Sequence, residues 1–118
     1  MGSILSQIVA GEIPSHKVYE DDQVMAVMDI NPIQPGHVLV FPKKEVEAFE
    51  QLNDDLYLAM MTVVKRVAEK IKQELKPKRV GVIIEGFEIP HAHIKVIPIN
   101  SEQELRHLPE YQETDHTA

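Results

Sequence analysis

The residues of this chain best able to do chemistry lie in Pro90-His91-Ala92-His93-Ile94-Lys95-Val96-Ile97-Pro98. In an extended strand successive side chains point to opposite faces. The spacing therefore predicts His91, His93, Lys95 and Ile97 on one face, with Ala92, Ile94 and Val96 turned into a core. Two imidazoles and an ammonium in step can hold and attack a phosphate. Histidine changes charge near neutral pH and serves as acid, base or nucleophile. Two other readings stay open at this point. Imidazoles on a half-exposed sheet need no function. Alternatively His91 and His93, with His37 from a neighbouring strand, could ligate zinc.

Such residues need a scaffold, and the rest of the chain supplies its pattern. Apolar residues at 4, 5, 8 and 9 predict a short amphipathic helix over Ile4 to Val9, ended by Gly11 and Pro14. Strands are expected at Val18-Tyr19, Val24 to Met28, Val38 to Phe41, Arg79 to Ile84 and His91 to Ile97. Between the second and third lies Asp29-Ile30-Asn31-Pro32-Ile33-Gln34-Pro35-Gly36-His37, a strand end followed by a proline-rich turn. Asn53 suits an N-cap, and Asp54 and Asp55 suit the first turn of a long helix. That helix carries Leu56, Met60, Val63, Val67, Ile71 and Leu75 at helical spacing and stops at Pro77. Ser101-Glu102-Gln103-Glu104 has the form of a capping box, opening a short terminal helix before a loose polar tail. The order predicts an α+β fold: a five-stranded antiparallel sheet covered by one long helix, plus a short N-terminal helix. Residues 1–100 are read as a single domain and 101–118 as a short helix and tail.

Composition narrows the function. A chain of 118 residues makes one domain, small enough that dimerisation would help it. Its net charge of −7 argues against sequence-independent nucleic-acid binding, which needs a basic face. A small nucleotide remains compatible, because a local cluster can hold it. With no cysteine, neither disulfides nor thiolate chemistry is available. No apolar run approaches membrane-spanning length, and the N-terminus lacks a basic region followed by an apolar one, so no membrane partner and a cytoplasmic protein are expected.

From about Ser3 to Pro98 the chain resembles the histidine triad (HIT) family of nucleotide hydrolases and transferases. The likeness rests on three segments: Ile8-Val9-Ala10-Gly11-Glu12-Ile13-Pro14, the stretch from Asp29 to Lys44, and the strand bearing His91 and His93. It implies that His93 attacks the α-phosphate of a nucleotide, forming a nucleotidyl-histidine intermediate that water hydrolyses, with the backbone carbonyl of His91 holding the ring. It also implies that His37 lies near the phosphate, that Asp29 holds the ribose hydroxyls, and that Leu5, Ile8, Ile13, Val27 and Ile30 line a base pocket. The ligand is then AMP-like, the bond cleaved a phosphoanhydride or phosphoramidate, the assembly a homodimer, and no cofactor is needed.

Three departures from the family pattern stand out. Lys95 replaces the third histidine. It either projects into solvent from a sheet edge, or lies about 7 Å along the strand from His93. There it would meet a phosphate as a point charge without an imidazole's proton exchange. Ile84 stands where an asparagine is expected, and the segment through Glu85 and Glu88 is several residues short of the usual glycine-rich loop. Ser3, Ser6 and Glu45 occupy positions where many members place two cysteines and a histidine that hold a structural zinc together with the first triad histidine, here His91; hydroxyls are poor substitutes for thiolates. The readings that follow are a hydrolase or transferase, a nucleotide-binding module with little turnover, and a histidine metal site.

Overall fold

The central strands of this protein are apolar on both faces, so each face needs its own cover. The computed structural model describes residues 2–29, 35–85 and 89–105. They form α1 (Ile4–Val9), β1 (Lys17–Glu20), β2 (Val24–Met28), β3 (Val38–Pro42), α2 (Asp54–Leu75), β4 (Arg79–Glu85) and β5 (His93–Ile99). Single 3-10 turns lie at Phe49–Gln51 and Glu102–Leu105. The strands make one antiparallel sheet in the order β1-β2-β3-β5-β4. This is the expected α+β fold, with α2 on one face and α1 on the other.

The cover on the first face follows from helix periodicity. Leu56, Met60, Val63, Val64, Val67 and Ile71 of α2 bury against Val24 and Ala26 of β2, Val38 and Val40 of β3, and Ile94 and Val96 of β5. The Asn53 side chain accepts from the Leu56 amide, and Asp54 and Asp55 occupy the first turn, where the helix dipole favours anions. Lys76 closes the helix in the left-handed region (φ 55°), its N–H donating to the Lys72 carbonyl before Pro77. On the second face Met25, Val27, Leu39 and Phe41 pack around Leu5 of α1, with Ile8, Val9 and Ile89 at the margin.

The chain enters β3 through Gly36, at φ 91°. A Cβ there would stand 2.5 Å from Cδ1 of Leu75 and 3.4 Å from Pro98, so both backbone geometry and packing call for glycine. The terminal 3-10 turn brings Leu105 over Gly81 and Ile99, and Glu104 accepts from the Asn100 amide.

Two expectations are corrected. β5 begins at His93 rather than His91 and runs two residues further, to Ile99. His91 and Ala92 stay outside the ladder because their amides bond elsewhere, to the carbonyls of Ile89 (2.7 Å) and Val46 (2.7 Å). Lys95 does not project from a sheet edge: β5 lies between β3 and β4, where Lys95 pairs with Leu39 and Ile83 and is half-buried. Ile30, Glu88 and the tail 106–118 lie outside the described residues.

Candidate active site

The two histidines of the motif are buried, and each is held by carbonyl oxygens. His91 has no exposed surface and His93 is 3% exposed. The His91 Nε2 lies 2.7 Å from the carbonyl oxygen of Pro42, at the end of β3. A carbonyl oxygen only accepts, so Nε2 carries the proton. Burial lowers the pKa of His91 from its usual 6.5, and bonding to Pro42 opposes this. In the neutral ring Nδ1 is therefore the acceptor, 2.8 Å from the Ser3 hydroxyl. Phe41 meets the His91 ring edge-on, with centroids 5.7 Å apart.

His93 repeats the logic one step on. Its Nδ1 lies 2.8 Å from the carbonyl oxygen of His91, so Nδ1 is the donor. A neutral His93 then has its lone pair at Nε2. This is the state a nucleophilic imidazole requires.

Asp29 and His37 face each other across the β2–β3 turn. The Asp29 amide donates to the His37 carbonyl (3.0 Å), and Asp29 Oδ2 stands 3.5 Å from Nε2 of His37, itself 1% exposed. Register separates His37 from His93. Val38 pairs with Val96, which places His37 level with Ile97, about 13 Å along the sheet from His93. Lys95 stands in the row between them, on the face that carries Leu39.

The other predicted positions fall out unevenly. Leu5 (1% exposed) and Val27 (2%) are core beneath the α1 face, while Ile8 and Ile13 are half-buried. Ile84 pairs with Ile94 and packs into the α2-side core. The structure does not bring together the three histidines of the metal reading. Among the described residues no three His, Asp or Glu side chains converge on a metal position, and His37 is rows away from His93.

Ser3, Ser6, Glu45 and His91 do converge, as a hydrogen-bonded cluster. Glu45 Oε1 accepts from the Ser6 hydroxyl (2.5 Å) and the Ser3 amide (2.8 Å), and these bonds hold the carboxyl below its usual range. The Ser3 hydroxyl accepts from the Ser6 amide as the cap of α1. Substituted zinc positions alone do not reveal the Ser3–His91 bond. The available signal was a serine directly before an amphipathic run, a preferred N-cap. A cavity of about 640 Å³ opens on the α2 face, lined by His16, Lys70, Glu74 and Leu75 among others, but by none of His37, His91 and His93.

Fold and site together define a small α+β protein that offers a buried imidazole, oriented by its neighbour's carbonyl, on an interior strand. The HIT domain matches residues 10–102, and the chain belongs to the HIT family. It is 38% identical over 100 residues to the uncharacterised HIT-like protein MJ0866 of Methanocaldococcus jannaschii, covering 80% of this chain and 77% of that protein. The solved structure of a HIT-family member from Bacillus subtilis superposes with a TM-score of 0.83 at 31% identity, covering 92% of this chain and 80% of that one. A histidine triad nucleotide-binding protein from Candida albicans gives a TM-score of 0.77 at 27% identity, over 86% and 77% of the two chains. Adenylylsulfatase HINT3 of Arabidopsis thaliana is 29% identical over 100 residues, covering 80% of this chain and 51% of that protein. Some family members are thus nucleotide-binding proteins or hydrolases.

Proposed function

We propose that the protein is a nucleotide hydrolase or transferase acting at the α-phosphate of a purine nucleotide through His93. Nε2 of His93 forms a bond to phosphorus while the phosphoanhydride or phosphoramidate bond breaks, its electron pair leaving with the departing group, which takes a proton from water. Water then attacks the phosphorus, the P–N bond returns its pair to the imidazole, and nucleoside monophosphate departs. The observation that carries this reading is the 2.8 Å bond from His93 Nδ1 to the His91 carbonyl, which leaves the lone pair at Nε2. The adenylylsulfatase among the relatives supports an adenylyl substrate.

In this reading Asp29 holds the ribose, and His37 and Lys95 meet the phosphate side of the ligand. Ile8 and Ile30 border the base, with Leu5 as the floor beneath. The register distance between His37 and His93 fits an extended ligand better than a single phosphate gripped by both. The active form is a homodimer; the supporting feature is β4, which forms an edge of the sheet and exposes Val82.

A binding module with little turnover is the second reading, favoured by Lys95 in place of a third histidine and by Ile84 turned into the core. A donor missing from transition-state charge costs about 10²–10³ in rate. Incubation with an adenosine phosphoramidate, a dinucleoside polyphosphate and an adenylyl sulfate, followed by nucleotide chromatography, decides between them. AMP release that depends on His93 supports the hydrolase. Tight AMP binding without release of product supports the module.

A further inference from the structure

The His93 ring is held through the backbone carbonyl of His91, and the side chain of His91 is itself held from two directions. Its Nε2 is tied to β3 through Pro42, and its Nδ1 to α1 through Ser3. The Ser3 hydroxyl has one proton and, among the described residues, four polar neighbours: the Ser6 amide, the Ser6 hydroxyl at 3.5 Å, His91 Nδ1 at 2.8 Å, and the Glu45 carboxylate, whose main donors are the Ser6 hydroxyl and the Ser3 amide. The amide donates, so it makes no demand on that proton. The Ser6 hydroxyl spends its own proton on Glu45. The shortest remaining path for the Ser3 proton is to His91 Nδ1. Glu45 also takes the Ser3 amide, which fixes the residue that carries the hydroxyl.

The surroundings support the arrangement. A Cβ on Gly2 would stand 2.5 Å from Glu45 Oε1 and 2.7 Å from the Ser6 Cβ, so the carboxylate sits in space that a larger residue at position 2 would contest. The Ala92 amide donates to the Val46 carbonyl, which ties the Glu45 loop to the chain directly after His91. The cluster thus spans the start of α1, the loop after β3 and the approach to β5.

We propose that Ser3, backed by Glu45, is a positioning residue for the reaction: Pro42 sets the Nε2–H tautomer of His91, and Ser3, by donating to the free Nδ1, fixes that ring from its other side and so places the His91 carbonyl that orients His93. This rests on the hydrolase reading above but makes a claim that can be read without substrate. A thiolate–metal centre would anchor the same histidine by coordination; here a proton does so.

Long-range ¹H–¹⁵N correlation spectra of the imidazoles, recorded on the full chain, test it. In the wild type His91 should be protonated at Nε2 and His93 at Nδ1; a His91 protonated at Nδ1 overturns the proposal with no variant needed. In Ser3→Ala the His91 ring keeps its Nε2 proton through Pro42, but its Nδ1 resonance should shift toward that of an imidazole nitrogen without a donor and the His93 Nδ1 proton should exchange faster with solvent, while Ser3→Thr restores both. With turnover present, Ser3→Ala should lower kcat by about 10- to 100-fold, the range a misplacement of up to an ångström costs, with KM changed less than about twofold. Unchanged spectra, or unchanged kcat, in a folded Ser3→Ala overturn the positioning role. If the wild type turns over no nucleotide, the hydrolase reading falls by itself, and the His93 proton exchange still decides the role of Ser3.

Discussion

Nδ1 of His93 lies 2.8 Å from the carbonyl oxygen of His91, and this bond sets the proton of one ring by the backbone of its neighbour two residues earlier. If His93 Nε2 is the nucleophile, His93→Ala should abolish AMP release while changing AMP affinity little, because the loss falls on the transition state. His91→Ala should be milder, since its carbonyl remains, yet at least as costly as Ser3→Ala, since the side chain that places that carbonyl is gone. Steady-state kinetics with calorimetric titration check this; full activity in His93→Ala would eliminate the covalent route.

Burial holds His91 neutral in the folded protein, its pKa lowered from 6.5. The unfolded chain then binds the extra proton more readily, so stability contributed by this residue is present above pH of about 6.5 and lost as pH falls through that value toward the lowered one. Thermal melts between pH 7.5 and 5.5 should show a falling Tm, with a shallower slope in His91→Gln. Glu45, held below its usual value by the Ser6 and Ser3 bonds, acts in a separate window below about 4.5.

Ser3, Ser6, Glu45 and His91 converge as one hydrogen-bonded cluster, with two hydroxyls and a carboxyl where a structural zinc site would need two thiolates and an imidazole beside His91. Dialysed protein should carry no stoichiometric zinc. The triple variant Ser3→Cys, Ser6→Cys, Glu45→His should bind about one zinc per chain and gain Tm on loading, since two thiolates and two imidazoles suit a tetrahedral structural site. Elemental analysis and a melt with added chelator read both arms.

Gly36 precedes His37 at a positive φ and against Leu75. Gly36→Ala should destabilise by about 1–3 kcal/mol, the range for a non-glycine residue held in a sparsely populated conformation. Urea unfolding with an unchanged midpoint would contradict the close packing of this turn on the end of α2.

Light scattering in solution should give twice the chain mass, with a charged residue at the exposed Val82 of β4 shifting the protein toward monomer. A wild-type monomer at micromolar concentration would remove the dimer from the proposed function.

Periodicity and caps were enough for most of the scaffold. Asn53 before two aspartates and an apolar repeat marks α2 from its first residue, and the run Val24 to Met28 emerges as β2 with its ends unchanged. These are local signals: a cap is satisfied within three residues, and an apolar repeat names the face that must leave water. The histidines were legible as types and spacing for the same reason, since chemistry resides in the side chains themselves.

Partnership was decided only in three dimensions. Alternation places His91 in a strand, yet the amides of His91 and Ala92 find Ile89 and Val46 rather than the ladder, so β5 opens at His93. For Lys95 the sequence leaves a sheet-edge position open beside a place in the site, and β4, closing against β5 from outside, removes the edge. His37 and His93 appear as neighbours in a list of polar residues, and only strand register reveals the row of Lys95 between them. Ser3 meets His91 across 88 positions of chain, a contact set by how α1 packs against the sheet. Such long-range pairings depend on which surfaces bury together, and a residue's own neighbours in sequence carry no record of that.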